Sequence, residues 1–297
     1  MDFIAMTSIL AIGRKTDTNA HYVHTGDLSW WVFYSDHNVS HWQEHITLWE
    51  CDGNTIGWTL LDPDCCSFDV FILPELSGST SESHILDWSI DHLIRIVCQQ
   101  GGKEIRTIWV SEHDTQRIQQ LEKRGFQPGE ESIWYLDRSL EEHVSRPQLP
   151  SGYSLRKVTG GQDIKTRAEV AYRAFGSPKA FDEYWPRYQR FFNSPVYLSS
   201  IDLVTVSPKG DFSSFCIVWP DPVNQNGVFE PVGTHPEFRS RGLGKAVVTE
   251  GLRRLQSCGM TRASVCTEFN NLAAQRLFQA VGFQKQYQLN TYIKKLD

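Results

Sequence analysis

The sequence predicts a mixed α/β (α+β) protein in which one strand-and-helix unit occurs twice. Two observations carry this. First, Trp109-Val-Ser-Glu-His-Asp114 is followed by Ile118, Leu121 and Gly125-Phe126, while Val265-Cys-Thr-Glu-Phe-Asn270 is followed by Ala273, Ala274, Leu277 and Gly282-Phe283. Upstream, Pro74-Glu75 is matched by Pro236-Glu237. Second, Leu86, Ile90, Leu93 and Val97 recur at helical spacing before Gly101, as Leu243, Val247, Leu252 and Leu255 do before Gly259. Apolar residues at that period, stopped by glycine, mark amphipathic helices. The shared order (extended segment, Pro-Glu, loop, helix, strand, helix, Gly-Phe, strand) reads as a tandem duplication.

The individual elements follow in chain order. Strands are expected at Ser29–Tyr34, Ile46–Glu50, Ile56–Leu61, Ser67–Leu73, Ile105–Val110 and Ile133–Leu136. Their counterparts are Ser154–Val158, Val196–Val206, Phe212–Trp219, Gly227–Gly233, Arg262–Thr267 and Asn290–Lys294. Two further amphipathic helices, Asp163–Phe175 and Ala180–Phe192, follow the first strand of the second copy. Between the copies, Arg146-Pro-Gln-Leu-Pro-Ser-Gly152 has two prolines and a glycine and no apolar period, the composition of a linker. The expected domains are residues 1–148 and 149–297.

Composition bounds the function. A chain of 297 residues has room for two domains. With 40% hydrophobic and 22% charged residues it is neither disordered nor fibrous. No apolar run approaches the roughly 18 residues of a membrane span. No basic residue precedes the apolar patch of Met1–Asp17, so no secretory leader is expected. Seven cysteines without a Cys-x-x-Cys pair suggest neither a disulfide framework nor a zinc site, and a cytoplasmic setting. Residues 1–148 hold 10 Lys and Arg against 23 Asp and Glu, whereas residues 149–297 hold 19 against 12. The basic second half suits a small anionic ligand, and the overall charge of −6 argues against nucleic acid.

The most informative stretch is Gly227-Val-Phe-Glu-Pro-Val-Gly-Thr-His-Pro-Glu-Phe-Arg-Ser-Arg-Gly-Leu-Gly-Lys-Ala246. An apolar strand runs into Arg239-Ser-Arg-Gly-Leu-Gly244, and a helix follows at once. The amides at a helix start are electropositive and lack internal partners, and glycine lets a ligand approach them. Arg239, Arg241 and Lys245 add formal charge, making a place for a pyrophosphate. Neither the dinucleotide G-x-G-x-x-G nor the P-loop pattern is present. Pro231 and Gly233 inside the strand predict a bulge. The first copy has Leu76-Ser-Gly-Ser-Thr-Ser-Glu-Ser83 at this place, without a basic residue, so one anion site per chain is expected.

The combination of R-x-x-G-x-G (Arg239, Gly242, Gly244) with Asn270, Ala273, Leu277-Phe278 and Gly282-Phe283 resembles the GNAT superfamily of acyl-CoA N-acyltransferases, and the two copies resemble its tandem members. The resemblance covers roughly Phe229–Phe283. It implies two GNAT-like domains, each a mixed, mostly antiparallel sheet flanked by helices, with acetyl-CoA as cosubstrate and no metal. It implies that the amides of Ser240, Arg241, Gly242, Leu243, Gly244 and Lys245, with Arg239, hold the coenzyme pyrophosphate. Val232, Gly233 and Thr234 would pair with the pantetheine arm where their strand splays from its neighbour, Asn270 would reach that arm, and Phe278 would pack beside the coenzyme. Glu230, nine residues before Arg239, would be the base that deprotonates a small-molecule amine attacking directly in a ternary complex. Many family members have tyrosine where this chain has Phe278, which cannot donate a proton. Tyr287 and Tyr292 are alternative acids. The same residue leaves open a second reading, a non-catalytic acyl-CoA-binding or regulatory protein. The acidic first half makes a cationic acceptor attractive.

Three other features are set aside. His37, His41 and His45 recur every four residues but complete no ligand set of known spacing. The tryptophans of the first half fit a core better than a ligand cage. Cys266 lacks an implied histidine partner for nucleophilic chemistry.

Overall fold

Short apolar runs punctuated by glycine and proline fold, in the computed structural model, into strands of one sheet with helices packed against it. The structure describes residues 3–16, 22–34 and 39–296. The first half runs α1 (Phe3–Thr16), α2 (Thr25–Tyr34), α3 (Val39–His45), β1 (Ile46–Cys51), β2 (Asn54–Asp62), β3 (Ser67–Ile72), α4 (Thr80–Gln99), β4 (Glu104–Ser111), α5 (Thr115–Lys123) and β5 (Gln127–Ser139). The second half runs β6 (Ser154–Lys157), α6 (Gln162–Phe175), α7 (Phe181–Phe192), β7 (Asp202–Val206), β8 (Phe212–Asp221), β9 (Asn226–Thr234), α8 (Leu243–Ser257), β10 (Arg262–Glu268), α9 (Leu272–Ala280) and β11 (Gln284–Lys295).

Among the described residues the strand order is β1-β2-β3-β4-β11-β5-β10-β9-β8-β7-β6. Among the described residues, the parallel pairs are β3–β4 and β10–β9. The two halves therefore share one sheet by exchanging their last strands. β5 pairs with β10 from Ser139↔Arg262 to Ile133↔Glu268, and β11 pairs with β4. β5 and β11 also pair with each other along most of their length. The repeat is visible in the sequence, but this exchange is not, because local pattern marks a strand without naming the strand it pairs with.

Two expectations are corrected. Ser29–Tyr34, read as a strand, lies in helix α2. Trp, Val, Phe and Tyr favour strands, and a short apolar run cannot be told from a buried helix by periodicity. A local cap decides here. His24 Nδ1 accepts the Gly26 N–H at 2.9 Å, and the Asp27 carboxylate accepts the His24 N–H at 2.8 Å. Trp30 and Tyr34 of this helix then pack against Phe191. Helices thus precede β1, as α6 and α7 precede β7. The second correction is Val196–Val206, where only Asp202–Val206 is strand. Residues before it turn twice, with Tyr197 N–H on the Ser194 carbonyl and Ile201 N–H on that of Leu198.

A buried charge pair ties α6 to β7. Arg167 Nε donates to the Asp202 carboxylate at 2.9 Å, and both side chains are fully buried. The Tyr188 and Tyr197 hydroxyls donate to the other carboxylate oxygen, and the guanidinium lies 3.8 Å from the Phe215 ring centroid. Removing one partner of such a pair strands the other charge in the core. Asp202→Ala should therefore cost about 3–5 kcal/mol of stability, read as a lower urea midpoint with unchanged slope. A loss below about 1 kcal/mol would mean that Arg167 finds water or another partner.

Candidate active site

The site is built where β9 leaves β10. The two pair in parallel from Asn226↔Arg262 to Phe229↔Val265 and no further. Glu230–Thr234 continues along β8 only. There, Phe229 to Val232 faces Val218 to Cys216, three steps against two, so β9 carries the bulge expected from Pro231. The Trp219 indole donates to the Glu230 carbonyl at 2.7 Å, fixing the bulged residue from the β8 side. Val232, Gly233 and Thr234 are half-buried along the open edge.

The strand leads into the basic loop. Ser240 (φ 61°) and Gly242 (φ 78°) are both in the left-handed region, which glycine adopts at little cost. Gly242 is the N-cap of α8 and no side chain caps it. The first bond of the helix runs from Ala246 N–H to the Gly242 carbonyl, so the amides of Leu243, Gly244 and Lys245 have no intrahelical partner. A Cβ at Gly244 would come within 3.1 Å of Thr234 Oγ1, so glycine keeps the strand end and helix start in contact. Leu243 is buried, leaving only its backbone for the loop, whereas Lys245 is exposed. The two arginines brace the loop: Arg239 donates to the Ala174 and Thr234 carbonyls, and Arg241 to the Glu237 carbonyl and the Tyr153 hydroxyl. Uncapped amides, a side-chain-free approach at Gly242 and surrounding cations fit a pyrophosphate.

In the first half the equivalent helix start is already satisfied. Ser79 caps α4 by accepting the Glu82 N–H at 3.2 Å, and Glu82 reaches back to the Gly78 N–H at 2.6 Å. This is a capping box. Glu82 is 1% exposed and pairs with Arg117 at 2.9 Å. The chain's own carboxylate stands where an anion would bind. The S-x-x-E spacing in Ser79–Glu82 was the sequence signal for it.

Glu230 is half-buried on β9. Burial first, and then the like charge of Asp27, push its carboxyl up to about 8. Asp27 comes from α2, whose docking is set by His24 Nε2 on the Asn226 carbonyl at 3.3 Å. Burial raises Asp27 as well, to about 6. Cys266, on β10, has its thiol pushed well above its ordinary value by burial, so it is held protonated. Tyr287 is buried and stacks on Tyr135 at 4.5 Å, and burial first, then Tyr135 and Cys266, raise its pKa. Tyr292 packs in the core of the first half.

Two further site residues lie in the core and in a turn. Phe278 is 3% exposed, with its ring edge against Phe283 in the main core, so it packs the fold and offers a ligand almost no surface. Asn270 is an exposed turn residue before α9, and the cap of that helix is Asn271, which accepts the Ala274 N–H. Asp27 was missed because it lies just before Ser29–Tyr34, read as a strand, in the first turn of what is a helix. Among the described residues no group of three or more His, Cys, Asp or Glu could hold a metal ion, and no helix is long and apolar enough to cross a membrane. His37 lies outside the described residues.

A family model described as the acetyltransferase (GNAT) family matches residues 168–283, which span α6 to the start of β11. Over those residues the chain is similar to the GNAT family of acetyltransferases. Among curated relatives, mycothiol acetyltransferase of Actinosynnema mirum is 27% identical over 160 residues, covering 52% of each chain. That of Saccharopolyspora erythraea is 24% identical over 159 residues, covering 52% of this chain and 50% of its own. The chain thus aligns with about half the length of these relatives. A GCN5-related N-acetyltransferase from Sphaerobacter thermophilus superposes with a TM-score of 0.66 at 16% identity, covering 98% of this chain and 91% of that one. A tandem GNAT protein from the clavulanic acid biosynthesis pathway gives 0.65 at 14%, covering 84% and 83%. The architecture is a tandem GNAT fold, with the sheet mostly antiparallel.

The Glu230 environment has a measurable consequence. Its carboxyl is raised in the folded state, so folding favours the protonated form, and stability falls as pH rises from the ordinary carboxylate range through about 8. Glu230→Gln removes that titration. The Tm of the variant minus that of the wild type should grow more positive from pH 5 to pH 9, and a difference constant with pH would contradict the buried carboxyl.

Proposed function

We propose that the protein transfers an acetyl group from acetyl-CoA to the amine of a small molecule, with one coenzyme site, in residues 149–297. The observation that carries this is the splay of β9 from β10 directly above an uncapped helix start. Acetyl-CoA supplies an acyl group activated as a thioester. The amides of Ser240 to Lys245 hold its pyrophosphate, with Lys245 adding charge and Arg239 and Arg241 keeping the loop in shape. The free backbone edge of Val232, Gly233 and Thr234 pairs with the pantetheine arm, and Asn270 faces it from the turn before α9.

Glu230 accepts the proton that the amine sheds, directly or through a water. A carboxyl near 8 matches an amine that must be neutral to attack, and proton transfer is most effective when the base lies near the working pH. The new bond joins the amine nitrogen to the acyl carbon, the carbon–sulfur bond breaks, and the thiolate takes a proton. Phe278 cannot supply that proton, so it comes from solvent or from Tyr287. The acidic first half, with 10 Lys and Arg against 23 Asp and Glu, favours a cationic acceptor drawn in from solution. The curated relatives are named mycothiol acetyltransferases, which fits a small-molecule acceptor. The residues before 149 form a degenerate copy without a pyrophosphate loop and complete the sheet around the site.

The core position of Phe278 favours one second reading, a protein that binds acyl-CoA without turning it over. Glu230→Gln separates the two. In an enzyme it should lower kcat by about 10²–10⁴, read as thiol release over a panel of amines, while acetyl-CoA affinity stays within about threefold, as expected of a base remote from the loop. Acetyl-CoA binding without transfer to any amine of a broad panel would select the second reading.

Calorimetry with acetyl-CoA should give one site per chain. Gly244→Asp and Gly242→Asp should abolish that binding by placing a side chain and a negative charge at the helix start. Two equivalent sites, or unchanged affinity in both variants, would overturn the assignment.

A further inference from the structure

The first half keeps a splayed cleft of its own. β3 and β4 pair at a single step, Ser67 opposite Arg106, and then part. The gap holds a cavity of about 410 Å³, within the range that takes a small molecule. Its described walls include the aromatic rings of Tyr22, Phe71 and Trp109. Tyr22 and Phe71 lie roughly parallel, 5.9 Å apart.

At the α4 end the cleft is closed to anions. Glu82 occupies the helix start, and Arg117 is fully engaged, with Nε and Nη2 on Glu82 and Nη1 on the Val70 carbonyl. That leaves Asp69, on β3, which lines the cavity and is 8% exposed. Among the described residues no cation forms an ion pair with it. Its neighbour is the Tyr22 hydroxyl, which is buried and has no hydrogen bond of good geometry. Arg117 lowers the Asp69 pKa, but burial outweighs it; a carboxylate buried without a direct ion pair is costly, and aromatic faces attract cations.

We propose that this cleft binds a small organic monocation, a primary ammonium carrying an aromatic body, with the ammonium on Asp69 and Tyr22 and the body against Phe71 and Trp109. Burial pushes the Asp69 carboxyl up to about 7, so a bound ammonium would restore its ionised form. The site is independent of the coenzyme reading. Strands β11 and β5 stand between β4 and β10, three sheet steps or roughly 14 Å.

The experiment is calorimetry on the full chain without acetyl-CoA, using phenethylamine and tryptamine against 2-phenylethanol and tryptophol. At least one amine should bind ten or more times more tightly than its matched alcohol. Asp69→Asn should remove that preference and Tyr22→Phe should weaken amine binding at least threefold, while Glu230→Gln leaves it unchanged. Asp69→Asn is nearly isosteric and replaces a carboxyl whose ionisation burial makes costly, so the variant should fold and have a Tm at pH 8 at or above that of the wild type. The proposal fails if neither amine outbinds its alcohol, or if Asp69→Asn and Tyr22→Phe both retain amine affinity. It also fails if amine binding is lost in Glu230→Gln but kept in Asp69→Asn, which would put the amine at the other cleft.

Discussion

Strand β9 abandons β10 after Phe229, and the rest of the site depends on that separation. Buried peptide groups must find partners. From Glu230 onward, β8 satisfies one edge of β9 and leaves the other open. The open edge aims at a helix start that has no cap. One unpaired stretch of backbone thus makes a slot, presents Glu230 at its inner end, and leads to unpaired amides at its outer end. The Glu230–Pro231 bulge, held by Trp219, turns the strand at the point where the slot begins.

The same geometry in the first half shows how side chains decide the outcome. β3 and β4 part as β9 and β10 do, and a turn and a helix follow in both. In the first half Ser79 and Glu82 satisfy the helix start, and Arg117 fills the Val70 carbonyl from inside the cleft. In the second half Gly242 and Gly244 offer no side chain. A carboxylate supplied by the chain excludes a phosphate by repulsion and by occupying its hydrogen bonds.

The two halves do not stand apart. Exchange of β5 and β11 means that neither half completes its sheet without the other. Helix α2 adds a second tie, with Trp31 against Trp109 at 5.0 Å on one side and His24 on the Asn226 carbonyl on the other. Through that docking the acidic N-terminal segment delivers Asp27 to the environment of Glu230, whose carboxyl is raised by burial and then by Asp27, while burial raises Asp27 itself.

The sequence by itself determined the repeat, the strand and helix order from Ile46 onward, the bulge at Pro231 and the basic Gly242–Gly244 helix start. Each of these is written in local chemistry: apolar period, proline, glycine and charge. Only the tertiary structure decided that Ser29–Tyr34 is helical, that Phe278 belongs to the core, and that the last strands cross over. Such choices turn on which surfaces a segment buries, and an apolar run such as Ser-Trp-Trp-Val-Phe-Tyr can satisfy a sheet or a helix equally well until its neighbours are in place. The raised carboxyl of Glu230 is of the same kind, because it arises from burial and from Asp27, two hundred residues away in the chain and adjacent only in the fold.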